Sequence, residues 1–243
     1  MKILRPSVFR DSRLLAALST RDGGPPGSPF GMNLSYSVGD DPQNVKANRE
    51  RFLRTLGITE GSLAIPRQVH SSTVLRAEGP GIFPECDGLV TDRTGVFLTV
   101  SVADCIPLLI YEKERRIIAA VHSGWRGTVA AIATHAVNKM VQEFGADPGA
   151  MSAYVGPAAS VCCYAVSADV ASRFDPRFVQ EMAGKLLVDL KSAVLDQLVS
   201  VGVPAAEIEK DPLCTISEPS LFHSYRRDGV KSGRMMAVIG LIR

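Results

Sequence analysis

Between Phe97 and Val121 the chain alternates apolar blocks with short polar breaks, which predicts adjacent β-strands. Phe97, Leu98, Val100 and Val102 form an almost continuous apolar run, as expected for a strand covered on both faces. Leu108 to Tyr111 and Ile117 to Val121 flank the charged turn Glu112-Lys113-Glu114-Arg115 and predict a β-hairpin. His122 leaves the open end of that hairpin, and Cys105 precedes its first strand. Antiparallel pairing therefore brings Cys105 and His122 together although 17 positions separate them. Pro107, beside Cys105, limits ladder bonding at the start of the strand.

After the hairpin the period changes. Val129, Ile132, Ala133, Ala136, Val137, Met140, Val141 and Phe144 recur at helical spacing, with Thr128 as cap and Gly145 as stop. His135 falls off that stripe and is expected in solvent. The start of this helix, at Arg126-Gly127-Thr128, presents free amides near His122, an arrangement that suits an anion such as phosphate. Upstream, Asp40-Asp41-Pro42 opens a helix carrying Val45, Phe52, Leu53 and Leu56, closed by Gly57. Arg49 lies on its apolar face. A guanidinium there needs an acceptor, either a carboxylate within the fold or a substrate.

The remaining segments are shorter. Residues 2–10 predict an edge strand, Leu14 to Leu18 a second strand and Phe30 to Leu34 a third, with the Gly/Pro-rich loop 21–27 between. A strand from Ile65 breaks near His70 and resumes at Thr73-Val74-Leu75. Cys86-Asp87-Gly88 turns into another, and Met151 to Val155 and Met235 to Ile242 read as buried strands. Asp189 to Val201 reads as a helix. The adjacent Cys162 and Cys163 point opposite ways on an extended chain and are expected to pack rather than bind metal. Strands and helices interleave without repeats or a linker, so residues 1–243 are expected to form one α+β domain of sheets flanked by helices.

Composition narrows the function classes. Apolar residues make up 46% of the 243 positions and charged ones 21%, ordinary for a globular chain with a large core. A formal net charge of +2 gives no case for nucleic acid or a membrane as partner. Five cysteines without a CxxC, and no secretory segment, argue for a reducing, cytoplasmic setting.

Catalytic zinc typically has three His, Cys or carboxylate ligands and one open position, and His70, Cys105 and His122 are the candidates. A metal-free reading makes Cys105 a nucleophile and His122 its base, an amidase-like pair.

The motifs QVHS at 68–71, VADCIPLL at 102–109, AAVHSGWRG at 119–127, VGPAAS at 155–160 and SYRRDG at 224–229 resemble the YfiH-like laccase-domain family. GDDPQNVKANR at 39–49 extends the likeness. That family is described variously as polyphenol oxidases, zinc-dependent purine nucleoside phosphorylases and peptidoglycan editing factors. The resemblance implies a sandwich of mixed sheets between helical layers, similar to toxin-type cysteine hydrolases. It implies a metal site at His70, Cys105 and His122, holding zinc or alternatively copper, and a substrate contact at Arg49. It also implies phosphorolysis of adenosine, inosine, guanosine and methylthioadenosine, and deamination of adenosine. Arg49, Arg126, Arg226 and Arg227 are then the expected contacts of nucleoside and phosphate. The alternative within the family is a peptidoglycan-precursor amidase using Cys105. A multicopper laccase fits poorly, because its cluster needs many imidazoles and the chain has four His. Two positions depart from the family pattern: Ala165 replaces an expected Glu, and His223, which replaces an aromatic, is expected to be exposed.

Overall fold

Side-chain parity along the strands dictates the layering. In the hairpin, Leu109, Tyr111, Ile118 and Ala120 share one core with Leu98, Val100, Ala237 and Ile239. Their neighbours Leu108, Ile110, Ile117, Ala119 and Val121 enter a second core on the opposite face. Both faces are covered, which is why these strands read as unbroken apolar runs.

The computed structural model covers residues 1–243 and resolves this parity into two packed six-stranded sheets. The first runs, in spatial order, β1 (Ile3–Leu4), β2 (Leu14–Ser19), β15 (Met235–Leu241), β7 (Phe97–Val102), β3 (Leu63–Pro66) and β5 (Gly81–Phe83). The second runs β14 (Ile208–Lys210), β10 (Met151–Val155), β8 (Ile106–Glu112), β9 (Ile117–Ser123), β6 (Gly88–Thr91) and β4 (Val74–Arg76). Both mix parallel and antiparallel pairs. Helix α1 (Pro42–Leu56) packs Phe52, Leu53 and Leu56 on the outer face of the first sheet. Helices α2 (Trp125–Val129), α3 (Ile132–Phe144) and α5 (Leu190–Ser200) lie beside the second, where α3 and α5 share its outer core. A small antiparallel sheet of β11 (Ala165–Val166), β13 (Lys185–Val188) and β12 (Val179–Met182), with α4 (Ala168–Ala171), completes that side. The short α6 (Tyr225–Asp228) precedes the last strand. The fold is therefore α+β, with sheets inside and helices outside. No helix is long and apolar enough to cross a membrane.

The hairpin pairs Pro107 with His122 and Ile106 with Ser123, so β8 begins earlier than its apolar block. Pro107 costs no ladder bond there, because β10 ends opposite Leu108 and only the Gly156 amide reaches the Pro107 carbonyl. Asp41 caps α1 by accepting from the Gln43 amide, and Gly57 closes it in the left-handed conformation.

Several expectations are corrected. Only Ile3–Leu4 of residues 2–10 is strand. Residues 30–34 are irregular, because the Asn33 side chain bonds the backbone of Ser35 and replaces a ladder with a local turn. The helix expected from Thr128 is two helices. Gly124 precedes α2, and Ala131, at φ 57°, breaks the chain before α3. The Thr128 hydroxyl is internal, bonded to the Gly124 carbonyl and the Ser123 hydroxyl. Residues 161–163 form a turn, not an extended segment, and Cys162 Sγ lies 2.9 Å from Cys163 Sγ. His223 is fully buried rather than exposed, with neither ring nitrogen partnered.

Candidate functional site

β8 and β9 deliver Cys105 and His122 to one end of the sandwich, as antiparallel pairing requires. His122 has the parity of Ile118 and Ala120, so it faces the space between the sheets. His70 arrives from the loop joining β3 to β4. Gln68 anchors that loop, its amide donating to the Ser101 carbonyl and accepting from the Ser101 amide. His70 itself sits at φ 60°, sparsely populated for a residue with a side chain. The sulfur of Cys105 and ring nitrogens of His70 and His122 lie within 4.8 Å of one another.

Asp87 organises this cluster and was missed by sequence reasoning. An Asp before Gly at the start of a strand is an ordinary turn signal, so nothing in the sequence singles it out. Its buried carboxylate accepts from the amides of Val69, His70 and Ser71 and from the Ser71 hydroxyl. It also lies 2.8 Å from Nδ1 of His122. Holding Nδ1 leaves Nε2 for the cluster, the usual carboxylate–imidazole arrangement behind a metal.

Burial raises the Asp87 carboxyl, but the His122 hydrogen bond and the Ser71 amide outweigh it and hold the group down at about 2. Burial likewise raises the Cys105 thiol. The charge of His122 and hydrogen bonds from both imidazoles reverse this and bring it down to about 6. His122 moves the other way, to about 9: burial lowers it, while the Cys105 charge and the Asp87 bond raise it further. Each group thus favours the charged form of the other.

The donor set fits a metal ion. One thiolate and two imidazoles suit zinc or copper. Gly124 packs directly against the cluster and leaves no room for a side chain, since a Cβ there would come 3.0 Å from Cys105 Sγ and 3.1 Å from His70 Cδ2.

The surrounding motifs are bound together through Asp104, at φ 84°. Its carboxylate accepts from the Thr215 hydroxyl and the Arg226 amide, each at 2.7 Å, and its carbonyl from the Ala159 amide. VADC, VGPAAS and SYRRDG therefore meet at one residue. Beside them opens a cleft of about 570 Å³ lined by Trp125, Tyr164, Ala165 and Arg226 among others.

The four arginines divide. Arg226 stacks 5.2 Å above the Tyr164 ring on the cleft wall, and Arg126 stacks 4.5 Å from the ring of Trp125, which lines the cleft, without lining it itself. Arg227 is turned inward, donating to the carbonyls of Thr215, Ile216 and Phe222 and to Asp228. Arg49 is buried, bonded to Glu60 and the Leu34 carbonyl, the acceptors its place on α1 demanded. Arg49 and Arg227 thus hold the fold's own loops and are not brought to the cleft. The anion site expected at a long helix start is also altered, because α2 has only five residues.

These features define a sandwich with a His/Cys/His cluster at one end. Residues 15–242 match the multi-copper polyphenol oxidoreductase laccase family, and the chain belongs to it. A purine nucleoside phosphorylase of Deinococcus radiodurans is 40% identical over 93% of this chain and 89% of its own. The adenosine deaminase RL5, from an unknown prokaryotic organism, is 35% identical over 84% of each. The crystal structure of YlmD from Geobacillus stearothermophilus superposes with a TM-score of 0.92 at 32% identity, covering 98% of this chain and 94% of that one.

Proposed function

We propose that this chain is a metal-dependent purine nucleoside enzyme, cleaving nucleosides with phosphate and deaminating adenosine. The observation that carries this reading is the His70–Cys105–His122 cluster beside an aromatic and cationic cleft. The names of its relatives supply the substrate class. A cleft of about 570 Å³ falls in the range that takes a small organic ligand.

A zinc or copper ion held by His70, Cys105 and His122 would supply a Lewis acid. Asp87 fixes His122 in one tautomer and orientation. The Trp125 and Tyr164 rings offer faces for a purine, and Arg226 and Arg126 offer donors for phosphate. With two of four histidines elsewhere, His135 exposed and His223 buried away from any partner, the imidazole supply falls short of a multicopper cluster.

One observation favours a second reading. Cys105, His122 and Asp87 form a nucleophile–base–orienter series, which would attack an amide without metal, as a peptidoglycan-precursor amidase requires. Replacing Cys105 by Ala distinguishes the two when the zinc content, turnover of adenosine with phosphate, and amino-acid release from nucleotide-linked muramyl peptides are measured together. The metal reading expects zinc and nucleoside turnover to vanish together. Full phosphorolysis by a zinc-free variant refutes it.

A further inference from the structure

Behind the Asp104 junction a second set of soft donors converges. The sulfurs of Cys162, Cys163 and Cys214 lie within 4.8 Å of one another. The turn that brings two of them together is closed by amides of Cys163 and Tyr164 donating to the Ser160 carbonyl. It carries the neighbouring side chains to one side and sets their sulfurs 2.9 Å apart. Cys214 comes from 51 residues beyond Cys163, held by a parallel bridge to Ala158 and the Thr215 amide on the Ala158 carbonyl. The Ser160 amide donates to Cys214 Sγ at 3.4 Å, an arrangement that favours an anionic sulfur. Burial grades from exposed Cys162 through Cys163 to buried Cys214, which gives an ion one way in from solvent.

We propose that Cys162, Cys163 and Cys214 form a second metal site that takes a soft, thiophilic cation, with monovalent copper as the best match. Three sulfurs without a nitrogen or oxygen donor select such an ion over hard cations. Metal–sulfur bonds of about 2.3 Å place the sulfurs of a three-coordinate ion about 4 Å apart. The cluster already spans that scale, and rotation of the exposed Cys162 side chain opens its close contact with Cys163. A disulfide between those two would leave the convergence of Cys214 without a purpose. Binding releases thiol protons and changes no oxidation state. The site is tied to the first one, since Thr215 follows Cys214 and bonds Asp104, which precedes Cys105.

The test is an anaerobic titration of reduced protein with Cu(I) held by a competing chelator. The full-length Cys105→Ala variant is used, so that the first site does not contribute. One copper per chain with a thiolate-to-copper ultraviolet absorption is expected. Adding Cys162→Ser, at an exposed position that does not threaten folding, should weaken binding more than about tenfold. Adding Cys214→Ser, in protein shown by circular dichroism to be folded, should abolish it. No copper uptake by Cys105→Ala overturns the proposal, as does unchanged affinity after Cys162→Ser.

Discussion

At Gly124 the backbone lies at φ −81°, ψ 174°, a conformation any residue adopts, so the glycine is required there for space alone. Gly124→Ala would place a methyl group against Cys105 Sγ and His70 Cδ2. The expected result is a zinc affinity lowered about 10–100-fold, on the scale of losing a supporting contact, with little change in melting temperature. Equilibrium dialysis beside a thermal melt reads both, and unchanged affinity would mean that the cluster is not the metal site. His223 makes a separate claim. Burial, with Arg21 and Arg234 nearby, pushes its imidazole down to about 3. Unfolded, the ring titrates near 6.5, so below that pH the unfolded state binds a proton that the folded state does not. Stability from this group is complete above pH 6.5 and falls by about 1.4 kcal/mol per pH unit down to about pH 3. Urea melts from pH 7 to pH 4 should show this slope, and His223→Leu should flatten it by that amount. An equal slope in the variant would place the acid sensitivity elsewhere. Nothing in the sequence reveals this burial. It depends on Gly233, where a Cβ would come 2.7 Å from the ring.

Among the elements, the β8–β9 hairpin, α1 and α5 were legible, because each carries its own punctuation: a charged turn, a capping Asp, a closing Gly or the Asp189 cap. The elements without such signals were not. The β12–β13 turn uses Ala183 and Gly184 at positive φ, where Asn-Gly or Asp-Gly would have announced a hairpin. The break between α2 and α3 was also hidden, since Ala130 and Ala131 are good helix formers and the apolar period runs straight through. This break sets a prediction with an unusual sign. Ala131→Gly should stabilise the protein by about 1 kcal/mol by relieving a left-handed backbone. In an uninterrupted helix the same change would cost about 1 kcal/mol. Denaturant unfolding decides between them, and a loss of stability would contradict the break.

Across the whole molecule, three buried clusters between and outside the sheets bring sequence-distant loops to one end. The three ligand candidates were legible as reactive side chains at the ends of strands. Asp87, Gln68 and the Asp104–Thr215 bond were not, because they join segments whose proximity only the stacked sheets create. The same stacking separates the arginines: Arg226 reaches the cleft, while Arg49 and Arg227 brace loops. The central claim is that this convergence builds a metal-dependent nucleoside site, and phosphate dependence tests it most directly. Zinc-loaded protein is incubated with adenosine, with and without inorganic phosphate, before and after chelation. Adenine and ribose 1-phosphate should form in equal amounts only when metal and phosphate are both present. Inosine should form with metal alone. Unchanged turnover after the metal is stripped, or no nucleoside turnover by fully loaded protein, would contradict the account.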